Sequence, residues 1–429
     1  MRSYDTMKDS GYPWMGEIPA HWRDINPKAL FTQRKERAKE GERQLTASQQ
    51  YGVLYQDEYM ALTGSRVVVV QKDFDILKHV EAGDFVISMR SFQGGLEYSP
   101  VSGSISSAYV MLIPNKELVY PPFYKWLLKS SAYIRALQST TDLVRDGQAM
   151  RYSNFAKVRL LVAPIEEQRA IAAYLDDRCS QIDAYIEEAK STLDNYKLWR
   201  ASIIHEAVTR GIDAESTPLR NSGISWIGDI PSEWAVRKIK NGFSIYSGAT
   251  PKSDKPEYWD GDIVWITPAD YKTENKYVGA GRKNLSKEGY ASCGTTIVPE
   301  GSVIFSKRAP VGTVAINSVP LCTNQGCLSC VPNSSADSEF FYYAMSAFTE
   351  QFELYSSGTT FKEISASVFA NFSLPFPPLK TQKKIAAYLT EKCARIDAIR
   401  NEKLKLIQDL EDYKRSIINE SVTGKRKVV

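Results

Sequence analysis

Nothing in the 429 residues is apolar for long: aliphatic runs such as Val67 to Val70 stop far short of the roughly 20 residues that cross a bilayer, and no membrane span is expected. The opening stretch MRSYDTMKDSGYPW lacks the apolar core of a secretory signal, which makes the cytoplasm the expected compartment. Six cysteines without disulfide-like spacing agree with a reducing environment. Cys322, Cys327 and Cys330, with Cys293 upstream, come nearest to a thiolate set, but C-x4-C-x2-C departs from paired C-x2-C knuckles. They are expected as small apolar side chains in buried strands, with no metal site. The three histidines, His21, His79 and His205, are scattered and expected at the surface.

Catalytic machinery is equally scarce. Neither a G-x-x-x-x-G-K-[ST] phosphate loop nor a G-x-G-x-x-G fingerprint occurs, which removes the usual means of hydrolysing or binding nucleotides. A nucleic-acid amino-methyltransferase needs Asn or Asp before Pro-Pro-Tyr or Pro-Pro-Phe. The nearest string, at Tyr120, puts tyrosine in place of the acceptor, and its prolines read as a helix start. Glu188-Ala-Lys190 matches the E-x-K of some nucleases but falls on the solvated face of a helix. Composition is ordinary for a folded protein, 43% hydrophobic and 24% charged, and the length suits two domains with a core each. A net charge of +4 permits nucleic-acid binding without requiring it.

What the sequence does have is repetition. SGYPWMGEIPAHW from Ser10 returns as SGISWIGDIPSEW from Ser222, with two tryptophans, two glycines and a proline in register. PIEEQRAIAAYLDDRCSQIDA from Pro164 returns as PLKTQKKIAAYLTEKCARIDA from Pro378, continuing to RASIIHEAVT and KRSIINESVT. Between these fixed ends the halves diverge, so each half is a variable module followed by a constant one. The expected divisions are 1–163 and 213–377 for the variable modules, 164–212 and 378–429 for the constant ones.

The constant modules read as long helices, from about Asp177 to Val208 in the first. Ile182, Ala189, Tyr196 and Ile203 form one heptad column, and Tyr185, Thr192 and Trp199 the next. Ile396, Lys403, Leu410 and Ile417, with Ile399, Leu406 and Tyr413, repeat it in the second. The cheapest partner for each stripe is the other copy, which predicts antiparallel packing about a pseudo-twofold axis. The variable modules read as α/β: strands at Arg66 (RVVVV), Asp84 (DFVISM), Ile263 (IVWIT) and Gly301 (GSVIFS), then aromatic-rich helices from Pro121 and Ser338. Their loops mix basic and polar side chains with glycine. Arg90 and Gln93, Arg145 and Arg151, Thr250 and Lys252, Lys307 and Arg308, and Lys362 are the candidates for meeting phosphates or base edges.

The pattern resembles the DNA specificity subunit of type I restriction-modification systems. The resemblance rests on G-[DE]-I-P-x-x-W (Gly16 to Trp22, Gly228 to Trp234), YSGATP from Tyr246, IVWITPADY from Ile263, SKRAPVGTVAI and TNQGC between Ser306 and Cys327, and P-x-x-x-Q-x-x-I-A-A-Y-L twice. It implies two tandem α/β target recognition domains separated by two antiparallel helical regions. Each domain would read one half-site of a bipartite duplex target, and the helices would set the gap. The subunit would be non-catalytic; S-adenosylmethionine, ATP and Mg would be bound by two methyltransferase subunits and by restriction subunits. A stand-alone methyltransferase and a scaffold that reads no DNA are the rival readings. The first module lacks the S-G-x-T-P and T-N-Q-G strings, as two modules with different half-sites would.

Overall fold

A computed structural model describes residues 4–67, 69, 76–140, 150–213, 217–272, 275–358 and 362–428. The chain divides into two compact units, Met1–Lys190 with Leu404–Val429, and Ser191–Lys403. Each unit therefore holds one variable module, part of one long helix and part of the other.

In the first unit the repeated phrase folds as a hairpin pairing Met7–Asp9 with Glu17–Pro19. Asp9 Oδ1 accepts from the Gly11 amide at 2.9 Å, and Gly11 turns at φ 74°, a conformation other residues resist. The second unit repeats this hairpin with Leu219–Asn221 and Asp229–Pro231, Asn221 Oδ1 accepting from Gly223 at 2.8 Å. The phrase ends on a buried tryptophan that covers a helix end. A Cβ on Gly424, just past the second long helix, would lie 3.3 Å from the Trp22 ring; one on Gly211, just past the first, would lie 3.4 Å from the Trp234 ring.

The first module carries an antiparallel sheet in the order Phe31–Arg34, Val110–Pro114, Phe85–Ile87, Glu97–Tyr98. The second carries a larger, mixed sheet, ordered Phe243–Ser247, Cys327–Pro332, Val303–Ser306, Val314–Asn317, Tyr277–Val278, its last strand parallel to its neighbour, and a smaller sheet around Trp259–Ile266. Paired helices cover each main sheet: Pro121–Leu127 with Ser131–Gln138, and Ser338–Ala347 with Thr349–Leu354. Aromatic rings build the cores: Tyr124 and Phe155 pack edge-on against Phe31 in one, and Phe352 and Phe369 pack against Phe305 in the other. Three of the four expected strands form. In RVVVV the described residues Arg66, Val67 and Val69 are irregular, and Val68 and Val70 fall outside the described residues.

The long helices run Ile165–Arg210 and Leu379–Val422, 46 and 44 residues, and begin well before the expected Asp177. Within each unit they pack antiparallel. Lys414 meets Asp183 at 2.6 Å and Arg426 meets Tyr174 at 3.4 Å in the first unit. Arg200 meets Asp397 at 3.4 Å and Lys384 meets Asp213 at 3.1 Å in the second. The first heptad column is as expected: Ile182, Ala189, Ile396 and Ile417 are buried, and Tyr196, Ile203 and Leu410 half-buried. The second column is corrected. Tyr185 and Trp199 are 62% and 51% exposed, and Ile399, Leu406 and Tyr413 are exposed too. The seam steps four residues on from the first column, to Ile186 and to Cys393 and Ile407. Arg200 and Lys414 occupy seam positions as ion-paired cations, which hid the phase in the sequence.

Where each constant module begins, a glutamine is wholly buried. Gln168 accepts from the Tyr120 amide at 2.8 Å and donates to the carbonyls of Leu118 at 2.9 Å and Ala163 at 2.8 Å. Gln382 accepts from the Asp337 amide at 2.8 Å and donates to Ser335 at 3.0 Å and Pro377 at 2.8 Å. One side chain thus ties the start of the aromatic helix to the start of the long helix in both units. Gln168→Ala orphans three backbone groups, the Ala163 carbonyl buried and the Leu118 and Tyr120 groups half-buried, each costing about 1 to 3 kcal/mol if left dry. We expect a loss of about 3 kcal/mol after partial hydration, measured as a lowered urea midpoint, and a like loss for Gln382→Ala.

Candidate nucleic-acid interface

In the second unit the sheet register gathers the candidate loops. Ser247 pairs with Leu328 and Ser306 with Cys327, so three strands end at one edge. Ile266 pairs with Thr323, and its carbonyl accepts from the Asn324 amide at 2.9 Å, which brings the smaller sheet to the same edge. The loops that leave there, 248–252, 267–271, 307–310 and 324–326, form one surface. Gly248 allows it: a Cβ would strike the Thr323 and Asn324 carbonyls at 2.2 Å. The Thr250 hydroxyl donates to Gln325 Oε1, and Asp270 stiffens the neighbouring turn by accepting from the Thr267 amide at 2.8 Å. Thr250, Lys252, Gln325 and Lys362 are exposed.

Lys307 and Arg308 are less free than the sequence suggests. Glu363 holds Lys307 Nζ at 2.8 Å and Arg308 Nε at 2.8 Å, while the Ile364 amide donates to the Lys307 carbonyl at 3.0 Å. The hydrogen bond from Lys307, then that from Arg308, keeps the Glu363 carboxyl below the usual carboxylate range. Two cations against one carboxylate leave a net positive loop, with Arg308 still half in solvent.

The first unit has a different cluster. Arg90 and Gln93 are exposed on the short helical turn Ser91–Gly94 and its cap. The Phe92 carbonyl accepts from Gln138 Nε2 at 2.9 Å, and the Thr140 carbonyl from Asn154 Nδ2 at 3.0 Å, which brings the cap residue Arg151 into the same region. Arg145 lies outside the described residues. Sequence reasoning missed three participants. Gln325 sat within the quoted TNQGC string, Glu363 had no local signal, and the Ser48–Tyr51 turn lies beside Arg90 only because the fold puts it there.

The remaining titratable groups are structural in their surroundings. His79 is a correction: it is 2% exposed, held between Glu42 at 2.6 Å and Glu81 at 3.0 Å. Cys322, Cys327 and Cys330 are buried in three separate hydrophobic clusters. Burial pushes the Cys322 and Cys327 thiols up to about 12. Among the described residues no three His, Cys, Asp or Glu side chains gather as metal ligands.

Because the Glu363 carboxyl is depressed, its contribution is present above its unfolded value and lost as pH falls through the folded one. The protection factor of the Ile364 amide, its exchange measured against the intrinsic rate at each pH, should fall on acidification below the usual carboxylate range. In Glu363→Gln that fall should vanish, and protection should already be low at neutral pH.

Residues 231–409 match the family model described as Type I restriction modification DNA specificity domain. Among curated proteins, the type I restriction enzyme MjaIX specificity subunit of Methanocaldococcus jannaschii is 38% identical over 38% of this chain, a match spanning only 39% of that protein. The putative MjaX specificity subunit of the same organism is 24% identical over 82% of this chain and 79% of its own. A solved chain from work on complex assembly and conformational transition of the type I R-M system shares the fold with a TM-score of 0.75 at 16% identity, covering 94% of this chain and 98% of that one. The HsdS subunit from Thermoanaerobacter tengcongensis does so with a TM-score of 0.57 at 16% identity, covering 95% and 98%. The second half of the chain thus matches a DNA specificity domain of the type I restriction-modification kind, and most of its length is similar to specificity subunits of such systems.

Proposed function

We propose that this chain is the sequence-reading, non-catalytic subunit of its complex, each variable module taking one half-site of a bipartite duplex. The observation that carries the reading is one scaffold built twice with different loops at its sheet edge. The Gln168 and Gln382 clamps and the Trp22 and Trp234 covers recur, while the loop clusters share almost nothing. Exposed apolar residues on the long helices, Tyr185, Trp199 and Tyr413 among them, supply surfaces for two methyltransferase subunits. Restriction subunits join through that complex, and S-adenosylmethionine, ATP and Mg belong to the partners. The absence of a phosphate loop and of an N-P-P-Y-type acceptor favours this over a stand-alone methyltransferase, and binding of S-adenosylmethionine by the purified chain would reverse that preference.

Replacing the first variable module, 1–163, by that of a relative should change one half of the motif methylated in cells expressing the chain with its cognate partners. A change in both halves would overturn independent reading. The gap is tested by length. The segment between Val208 and Ser222 is unsuitable, because Trp234 covers the helix end there. One heptad inserted after Lys190 and another after Lys403 keeps the seam in phase and adds about 10 Å, or about three base pairs. Methylome sequencing should show both half-sites intact with the gap widened by about that amount; an unchanged gap would assign the spacing to the partners.

A further inference from the structure

In the first unit Leu45–Ser48 and Gly52–Tyr55 form a two-stranded antiparallel ribbon that belongs to no larger sheet. A ribbon of two strands is one of the few elements that fit the major groove. Its tip is rigid. The Ser48 hydroxyl accepts from the amides of Gln50 and Tyr51, both at 3.3 Å, and Gly52 closes the turn at φ 72°.

The tip is also fastened to the turn that carries Arg90. Gln49 Nε2 donates to the Arg90 carbonyl at 3.1 Å, and Lys129 Nζ donates to the Gln49 carbonyl at 2.8 Å and pairs with Glu97 at 2.6 Å. Gly94 makes room, since a Cβ there would press on Gln49 Cγ at 2.8 Å. Two adjacent glutamines therefore have different fates. Gln49 is consumed in holding the tip, whereas the side-chain carboxamide of Gln50 is exposed with no partner among the described residues. Tyr51 is exposed beside it, its ring set by an edge contact with Tyr59 at 6.3 Å. Arg90 and Gln93 are exposed next to them.

The geometry points to this tip as the base-reading element of the first module, with Gln50 contacting a base edge in the major groove. Its carboxamide offers a donor and an acceptor on a fixed backbone, the pairing that suits the N6 and N7 edge of adenine. Arg90, held in the same assembly, presents the fork that suits guanine or a phosphate. The assignment rests on the reading that the chain binds specific duplex DNA.

The test uses the full chain and a random duplex library, sequencing the bound fraction. Wild type should enrich a bipartite motif. Gln50→Ala, with unchanged thermal unfolding, should lose preference at one base pair of one half-site and bind the selected duplex about tenfold more weakly. Gln49→Ala, which unfastens the tip, should blur the same half-site. The same motif at an affinity within twofold in Gln50→Ala would overturn the assignment, as would an equal loss on every sequence, which marks a phosphate contact. Failure of wild type to enrich any motif would instead overturn the DNA-reading function itself.

Discussion

Two glutamine side chains, each shut away from water, hold the architecture together. A primary amide has one oxygen and two N–H bonds to satisfy, and Gln168 and Gln382 each satisfy three backbone groups on two segments far apart in sequence. Buried and fully paired, such a side chain fixes one geometry, because any shift leaves polar groups dry. The tryptophans do the complementary work at the other helix end with apolar area. A variable module is thus gripped at two points that are chemically the same in both units. Everything between them is free to differ.

That division explains what the sequence could and could not say. The grips were legible because they depend on rare residues at fixed spacing: the hairpin glycines, Trp22 and Trp234, and the P-x-x-x-Q strings. The long helices were legible as a heptad stripe, but not the phase of their second column. Tyr185 sits next to Ile186 and Leu406 next to Ile407, so hydrophobicity alone cannot choose between neighbours. Pairing can, and Asp183 with Lys414 and Asp397 with Arg200 put charges where a periodicity count expects apolar residues.

The loop surfaces were only half legible. Charge and glycine content located Arg90, Lys307 and Arg308, but whether a cation is free depends on a partner that the chain brings from elsewhere. Glu363 is such a partner, reaching Arg308 from 55 positions away. The Ser48–Tyr51 turn carried no basic residue and no motif, and its place beside Arg90 is a product of tertiary packing. His79 looked like an ordinary surface residue because neither Glu42 nor Glu81 marks it as enclosed.

The composition of the first unit bears on synthesis. It joins Met1–Lys190 to Leu404–Val429, and Ile417 and Val422 are part of its core. On the ribosome the second unit can close once its continuous stretch has emerged, whereas the first waits for nearly the whole chain. Until then the part of that core which Ile417 and Val422 complete stays open to water, and such surface is a substrate for chaperones and a hazard for aggregation. Translation order therefore makes the module synthesised first the one completed last.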